Sequence, residues 1–230
     1  MLKLERLELA QGDFTLRADL HIEAGHRVAV IGPSGSGKST LLAAIGGFLA
    51  PVGGRICWHA TDITDASPGK RPVAMLFQDN NLFPHLSIDR NVGLGIRPDL
   101  KLDAKDRARV AEALARVGLA GMTERKPAAL SGGQQSRAAL ARVLVQNRPI
   151  LLLDEPFAAL GPALRQEMLD LVADLTRETG ATLLMVTHDP QDAQRIADDV
   201  IFVEGGWAAP PQPAQALLEN PPPALRAYLG

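Results

Sequence analysis

Apolar and polar positions alternate from the first residues of the chain. Leu2, Leu4, Leu7 and Leu9 predict an opening strand, Gln11-Gly12-Asp13 a turn, and residues 14–22 its antiparallel partner. After a second turn at Glu23-Ala24-Gly25 the pattern changes. Arg27-Val28-Ala29-Val30-Ile31 is a short β-branched run closed by Gly32, of the kind that fits a strand buried on both faces. Similar runs occur at 73–77, 150–153, 182–186 and 200–203, with helical patterns between them. Strands alternating with helices predict an α/β fold on a mainly parallel sheet.

The middle of the chain breaks this rhythm. From Ser87 to about Asn147 no strand pattern recurs. Residues 103–117 place Val110, Ala111, Leu114 and Val117 at helical spacing, with charges on the opposite face. An all-helical insert within an α/β core is therefore expected. The stretch 210–230 holds six of the 17 prolines, which predicts a loop with short helices and not a further domain.

Composition narrows the class. The 230 residues are 46% hydrophobic and 22% charged, ordinary for a globular chain that needs no disulfide or metal to hold its core. The net charge of −2 argues against a nucleic-acid partner gripped by a bulk basic field. Cys57 is the single cysteine, so no intramolecular disulfide forms, and beside Trp58 it reads as a small core residue in a reducing compartment. No stretch reaches the roughly 18 apolar residues that span a bilayer. The opening Met1-Leu2-Lys3-Leu4-Glu5-Arg6 is too charged for a signal peptide. The expectation is a cytoplasmic protein, held to a membrane only through a partner.

Candidate chemistry begins after the third predicted strand. Gly32-Pro33-Ser34-Gly35-Ser36-Gly37-Lys38-Ser39 fills every fixed position of G-x-x-x-x-G-K-[ST], with a strand before it and a helix after it from Ser39 to Leu49, Thr40 included. The glycines let backbone amides converge on phosphate oxygens, and the helix N-terminus adds its positive dipole end. Lys38 is then placed for the β- and γ-phosphates, and Ser39 for Mg²⁺. Ile150-Leu151-Leu152-Leu153-Asp154-Glu155 is a buried strand ending in two acids. Asp154 at its carboxyl end fits a second Mg²⁺ ligand, and Glu155 the group that orients or deprotonates the attacking water. His188 closes another apolar strand and is expected on the same sheet edge, within reach of the γ-phosphate or the water.

Leu130-Ser131-Gly132-Gly133-Gln134 precedes an Ala/Leu-rich helix. It reads as a second anion-binding helix start, with Ser131 as N-cap and two glycines leaving the amides bare. One nucleotide does not need two cradles in one chain. The second is best explained as serving ATP on another copy.

These motifs, with Gln78 after a strand, follow the order found in ATP-binding cassette (ABC) ATPases, and the chain resembles that family along essentially its whole length. The resemblance implies a single ABC ATPase domain over 1–230. Within it, 1–85 and 146–230 form a RecA-like core with an antiparallel β-subdomain, and 86–145 form a helical subdomain carrying the signature. It also implies a head-to-tail dimer with two ATP molecules sandwiched between P-loop and opposing Ser131, Gly132, Gly133 and Gln134. Gln78 would contact Mg²⁺ or water and link the site to a transmembrane permease, with a periplasmic solute-binding protein as an indirect partner. The location implied is the cytoplasmic face of the bacterial inner membrane. Gln78-Asp79-Asn80-Asn81-Leu82-Phe83-Pro84-His85-Leu86 is the expected partner-facing stretch, with Leu82 and Phe83 either in a groove for a permease helix or in local packing. The 75–83 segment and the run 149–160 look like the ATPase subunit of bacterial thiamine importers. Iron, polyamine or sulfate import, and a soluble non-transport ABC ATPase, are the alternatives.

Two departures from the family pattern stand out. Where the family reads S-A-L-D after the Glu-Pro-Phe run, this chain has Ala158-Ala159-Leu160-Gly161, so the carboxylate that works across the dimer interface is missing. The aromatic that stacks on adenine has only Phe14 as a counterpart, and Phe14 reads equally well as core packing.

Overall fold

The computed structural model describes residues 1–158 and 160–229, so Ala159 of the altered Ala158–Gly161 run lies outside the described residues. The strands are β1 (Leu2–Gln11), β2 (Phe14–Ile22), β3 (Arg27–Ile31), β4 (Gly53–Trp58), β5 (Thr61–Asp62), β6 (Val73–Leu76), β7 (Ile150–Asp154), β8 (Thr182–Val186), β9 (Asp199–Glu204), β10 (Trp207–Ala208) and β11 (Gln212–Pro213). The helices are α1 (Lys38–Gly46), α2 (Ile88–Gly93), α3 (Ala104–Arg116), α4 (Gly132–Leu144), α5 (Pro162–Thr179), α6 (Pro190–Ile196), α7 (Ala214–Glu219) and α8 (Pro223–Leu229).

One sheet runs in the order β5-β4-β1-β2-β10-β9-β3-β8-β7-β6, with β11 on β9. Strands β9, β3, β8, β7 and β6 are mutually parallel, while β1, β2, β4 and β5 form an antiparallel wing joined to them through β10. The parallel strands are buried on both faces, which is why they read as unbroken apolar runs. Along β7, Leu151 and Leu153 enter a cluster with the helical insert, whereas Ile150 and Leu152 enter one with α1 and the wing.

Between Ser87 and Asn147 the described residues contain helices and no strand. Helix α3 begins at a capping box in which Asp103 accepts from Asp106 N and Asp106 bonds back to Asp103 N. The apolar faces of α2, α3 and α4 share their cluster with Leu76, Leu153 and Met168, so the helical insert is continuous with the core beneath it. Downstream of Pro210 lie two short helices, as the proline pattern predicts.

Register sets the site. Leu76 pairs with Leu153, Asp154 with Val186, and Val30 with Val186. The carboxyl ends of β3, β6, β7 and β8 therefore open on one edge, where an open parallel sheet binds its ligands. The segments leaving that edge carry Gly32, Gln78, Glu155 and His188.

Candidate nucleotide site

Residues 32–37 form the loop between β3 and α1. Gly37, immediately before the helix, has φ 102°, and a Cβ there would lie 2.6 Å from the Phe14 ring. A side chain is thus excluded by conformation and by contact. Phe14 packs on this last turn of the loop and against the wing's apolar cluster, which accounts for its position without any ligand. Ser34 and Gly35 form the exposed tip. Ser36 Oγ is buried with no hydrogen-bond partner among the described residues, a polar atom suited to a phosphate oxygen. Lys38 is buried and donates to the carbonyls of Gly32 and Pro33, both at 2.8 Å. Burial lowers its pKa, against the raising pull of Glu155 and Asp154. Ser39 and Thr40 occupy the first turn of α1.

Ser39 Oγ donates to Asp154 Oδ1 at 2.9 Å, so the hydroxyl and the carboxylate named from motifs 115 residues apart do converge. Asp154 is buried, and that burial pushes its carboxyl above the usual carboxylate range. The Ser39 bond and Lys38 pull it down, and Glu155 pushes it further up. Glu155 takes a left-handed backbone at φ 44° and donates its N–H to Val186 O at 3.1 Å, ending the strand. Its Oε2 lies 3.4 Å from Nδ1 of the half-exposed His188. Gln78 is exposed, two residues beyond the end of β6. A serine hydroxyl and a carboxylate oxygen at this spacing are the hard donors that suit Mg²⁺. Among the described residues no cluster of three His, Cys, Asp or Glu offers a metal site built from protein alone.

The signature residues stand apart from this group. Ser131 N-caps α4 in a capping box: its Oγ accepts from Gln134 N at 3.3 Å, and its N–H donates to Gln134 Oε1 at 3.0 Å. The Gln134 side-chain oxygen Oε1 is thus committed to the cap. A Cβ on Gly132 would meet none of the described residues within 4 Å, whereas one on Gly133 would meet Leu164 Cδ2 at 2.3 Å. Among the described residues no hydrogen bond or ion pair joins 131–134 to the Lys38–Asp154 group.

Beyond Gln78, Asn80 and Asn81 have positive φ (51° and 48°), and Arg142 of α4 donates to both carbonyls at 2.7 Å. Asn91, fully buried, accepts from Phe83 N at 2.7 Å and donates to the carbonyls of Phe83, Leu86 and Ser87 at 3.1 Å each. The two expected partner-facing residues separate: Leu82 packs on the helical cluster, and Phe83 stays exposed. Phe48 is 54% exposed beside Phe77, their rings edge-on at 5.2 Å. Its place at the end of α1 gave no signal in sequence, because an aromatic there also fits a core position. No described helix is long and apolar enough to cross a membrane.

Residues 16–158 match the family model for the ABC transporter. A protein of Cereibacter sphaeroides called a thiamine import ATP-binding protein is 66% identical over the whole of both chains, and one of the same name from Ruegeria sp. is 64% identical over the whole of both. Among solved structures, a dimeric ATP-binding cassette in a post-hydrolysis state bound to ADP and phosphate superposes with TM-score 0.82 at 31% identity, over 93% of this chain and 99% of that one. A chain from Clostridium perfringens, part of an ABC transporter complex, gives TM-score 0.85 at 31% identity over 95% and 90%. With the P-loop, the paired acids and the signature laid out as above, the chain belongs to the ABC transporter family, among its ATP-binding proteins.

Proposed function

We propose that the chain is the ATP-hydrolysing subunit of a thiamine importer, working as a head-to-tail dimer on the cytoplasmic face of the inner membrane. The observation that carries the reading is the single sheet edge on which Lys38, the Ser39–Asp154 pair, Glu155 and His188 meet. Thiamine itself is supported by the names of the relatives that align along the whole chain.

In this reading the amides of 34–39 and Lys38 receive the β- and γ-phosphates of ATP. Mg²⁺ fits Ser39, Asp154 and Gln78, where it would neutralise phosphate charge. Glu155 takes a proton from the attacking water as its oxygen bonds to the γ-phosphorus. The bond to the β,γ-bridging oxygen breaks, and its electron pair leaves on ADP. His188 holds the water and γ-phosphate beside Glu155. Phe14 borders the adenine side of the loop. Ser131, Gly132, Gly133 and Gln134 serve ATP on the second copy, because within one chain they stand apart from the Lys38 group. ATP binding closes the dimer, and hydrolysis reopens it. Phe83 and Phe48 form the contact with the permease, to which a periplasmic solute-binding protein delivers thiamine.

The test is uptake of labelled thiamine by cells lacking this gene, complemented with the wild-type chain or with Glu155→Gln. Uptake should return only with the wild type, and purified Glu155→Gln should collect as an ATP-bound dimer. Undiminished uptake in the uncomplemented cells would remove thiamine from the reading. Wild-type turnover by Glu155→Gln would remove Glu155.

A further inference from the structure

The turn that carries His188 is gripped from behind by a side chain that no motif marks. Arg165, in the first turn of α5, is only 16% exposed. Its Nε and Nη2 both donate to Asp192 Oδ2, at 3.1 and 2.6 Å, and its Nη1 lies 3.3 Å from Asp189 Oδ2. Asp192 Oδ2 also accepts the Thr187 hydroxyl at 2.8 Å, and Thr187 Oγ1 accepts from Asp189 N at 3.1 Å. The residues on either side of His188 are thus both tied to Arg165. From α8, Tyr228 donates its hydroxyl to the His188 carbonyl at 3.1 Å. Arg165, Thr187 and Asp192 line the same small cleft as Glu155 and His188.

We infer that Arg165 is a positioning residue for ATP hydrolysis: it holds the 187–189 turn so that His188 stays beside Glu155. The inference rests on the roles of Glu155 and His188 proposed above. A purely structural clamp between α5 and α6 already exists elsewhere. Arg195 pairs with Asp170 through two bonds of 2.7 and 2.6 Å on the exposed side of the same helix pair. What Arg165 adds is its reach into the turn before α6. The bonds it makes there are charge-assisted and largely shielded from water, so they fix geometry more firmly than an exposed pair does. They also connect His188 to the helix that Gly161 N-caps, next to the segment the resemblance assigns to the dimer interface.

The experiment compares steady-state Mg-ATPase and nucleotide affinity, read with a fluorescent ATP analogue, in the full-length protein. Arg165→Gln should lower kcat by about ten- to a hundred-fold, as expected for misplacement of a catalytic group, while nucleotide Kd stays within about two-fold. Arg165→Lys, which keeps the charge but loses the fork, should fall between. Arg195→Gln, which loosens the same helix pair without touching 187–189, should retain wild-type turnover. If Arg165→Gln does not fold, Thr187→Val decides, because it removes the hydroxyl link and leaves the ion pair intact; it too should lose kcat at unchanged Kd. Wild-type kcat in Arg165→Gln or Thr187→Val overturns the inference. So does a Kd that rises in step with the loss of kcat, or an Arg195→Gln variant as slow as Arg165→Gln. His188→Ala separates the two levels: wild-type turnover there defeats the proposed role of His188, whereas a slow His188→Ala beside a normal Arg165→Gln defeats the positioning alone.

Discussion

Arg71 carries a cation into the interior with no carboxylate bonded to it among the described residues. It is 2% exposed, between α1 and the turn that leads into β6. Its Nε donates to Ala66 O at 2.8 Å, Nη1 to Ala44 O at 2.7 Å and to Ile45 O at 2.9 Å, and Nη2 to Thr64 O at 2.6 Å. Two of these carbonyls belong to the last turn of α1, where helix carbonyls lack partners and the negative end of the dipole favours a cation. Arg71→Met keeps the length and removes the donors. Ala44 O retains the Gly47 N–H at 3.1 Å, which leaves Ile45, Thr64 and Ala66 as the carbonyls that lose their bond.

At about 1–3 kcal/mol for a buried carbonyl left unsatisfied, the loss is at most about 3–9 kcal/mol, since the Thr64 and Ala66 carbonyls are only part-buried. Against it stands relief from burying a guanidinium, about several kcal/mol. Burial also lowers the pKa of Arg71, with Asp65 opposing. The expected net destabilisation is about 3 kcal/mol, with Arg71→Lys closer to wild type. Urea unfolding of the nucleotide-free protein measures it directly. In a thermal scan the same change should lower Tm by about 6–12 °C for a chain of this size. A variant within about 1 kcal/mol of wild type, or more stable, would refute the reasoning, because a buried ion can also be replaced by an apolar side chain at no loss.

Burial raises the Asp154 carboxyl, so the folded chain holds that proton more tightly than the unfolded chain, and stability is lost as pH rises above the ordinary value of 3.8. Asp154→Asn removes that cost: Tm without nucleotide should rise at neutral pH, with the advantage fading as pH falls to 3.8 and below, while ATP hydrolysis is lost. Equal Tm at pH 7 would contradict it. Gly161 N-caps α5 at φ −65° without a side-chain cap, and a Cβ there meets none of the described residues within 4 Å. Gly161→Asp should therefore fit, add about a few tenths of a kcal/mol through capping, and raise ATP turnover by restoring the carboxylate the family places there. Unchanged or lower turnover counts against that role.

The parts of the fold legible in sequence are those whose cause is local. The parallel strands are apolar because both faces are covered, and the P-loop is contiguous because one turn must do all its work. The opening strand already marks where local reading ends. Its leucines sit at even positions 2 and 4 and then at odd positions 7 and 9, yet all four are buried. The pairing with β2 shifts between Leu4 and Leu7, and Arg6 takes φ 46° there, so the added residue of a bulge turns the second pair of leucines inward. Gly53 and Gly54 hid the start of β4 in the same way, since glycine weakens a strand pattern.

Arg71, Arg142 and Arg165 were illegible for a different reason. Each answers to groups in distant segments, and a charged residue within a mixed run reads as solvated. The signature glycines show what this costs a motif reading. Sequence gives Gly132 and Gly133 one purpose, bare amides for an anion. The structure divides them: a Cβ on Gly132 meets none of the described residues, whereas one on Gly133 would displace the Leu164 side chain packed against it. Leu164 is next in sequence to Arg165, and Arg165 holds the turn of His188. The start of α4 and the turn after β8 therefore bear on the same turn of α5.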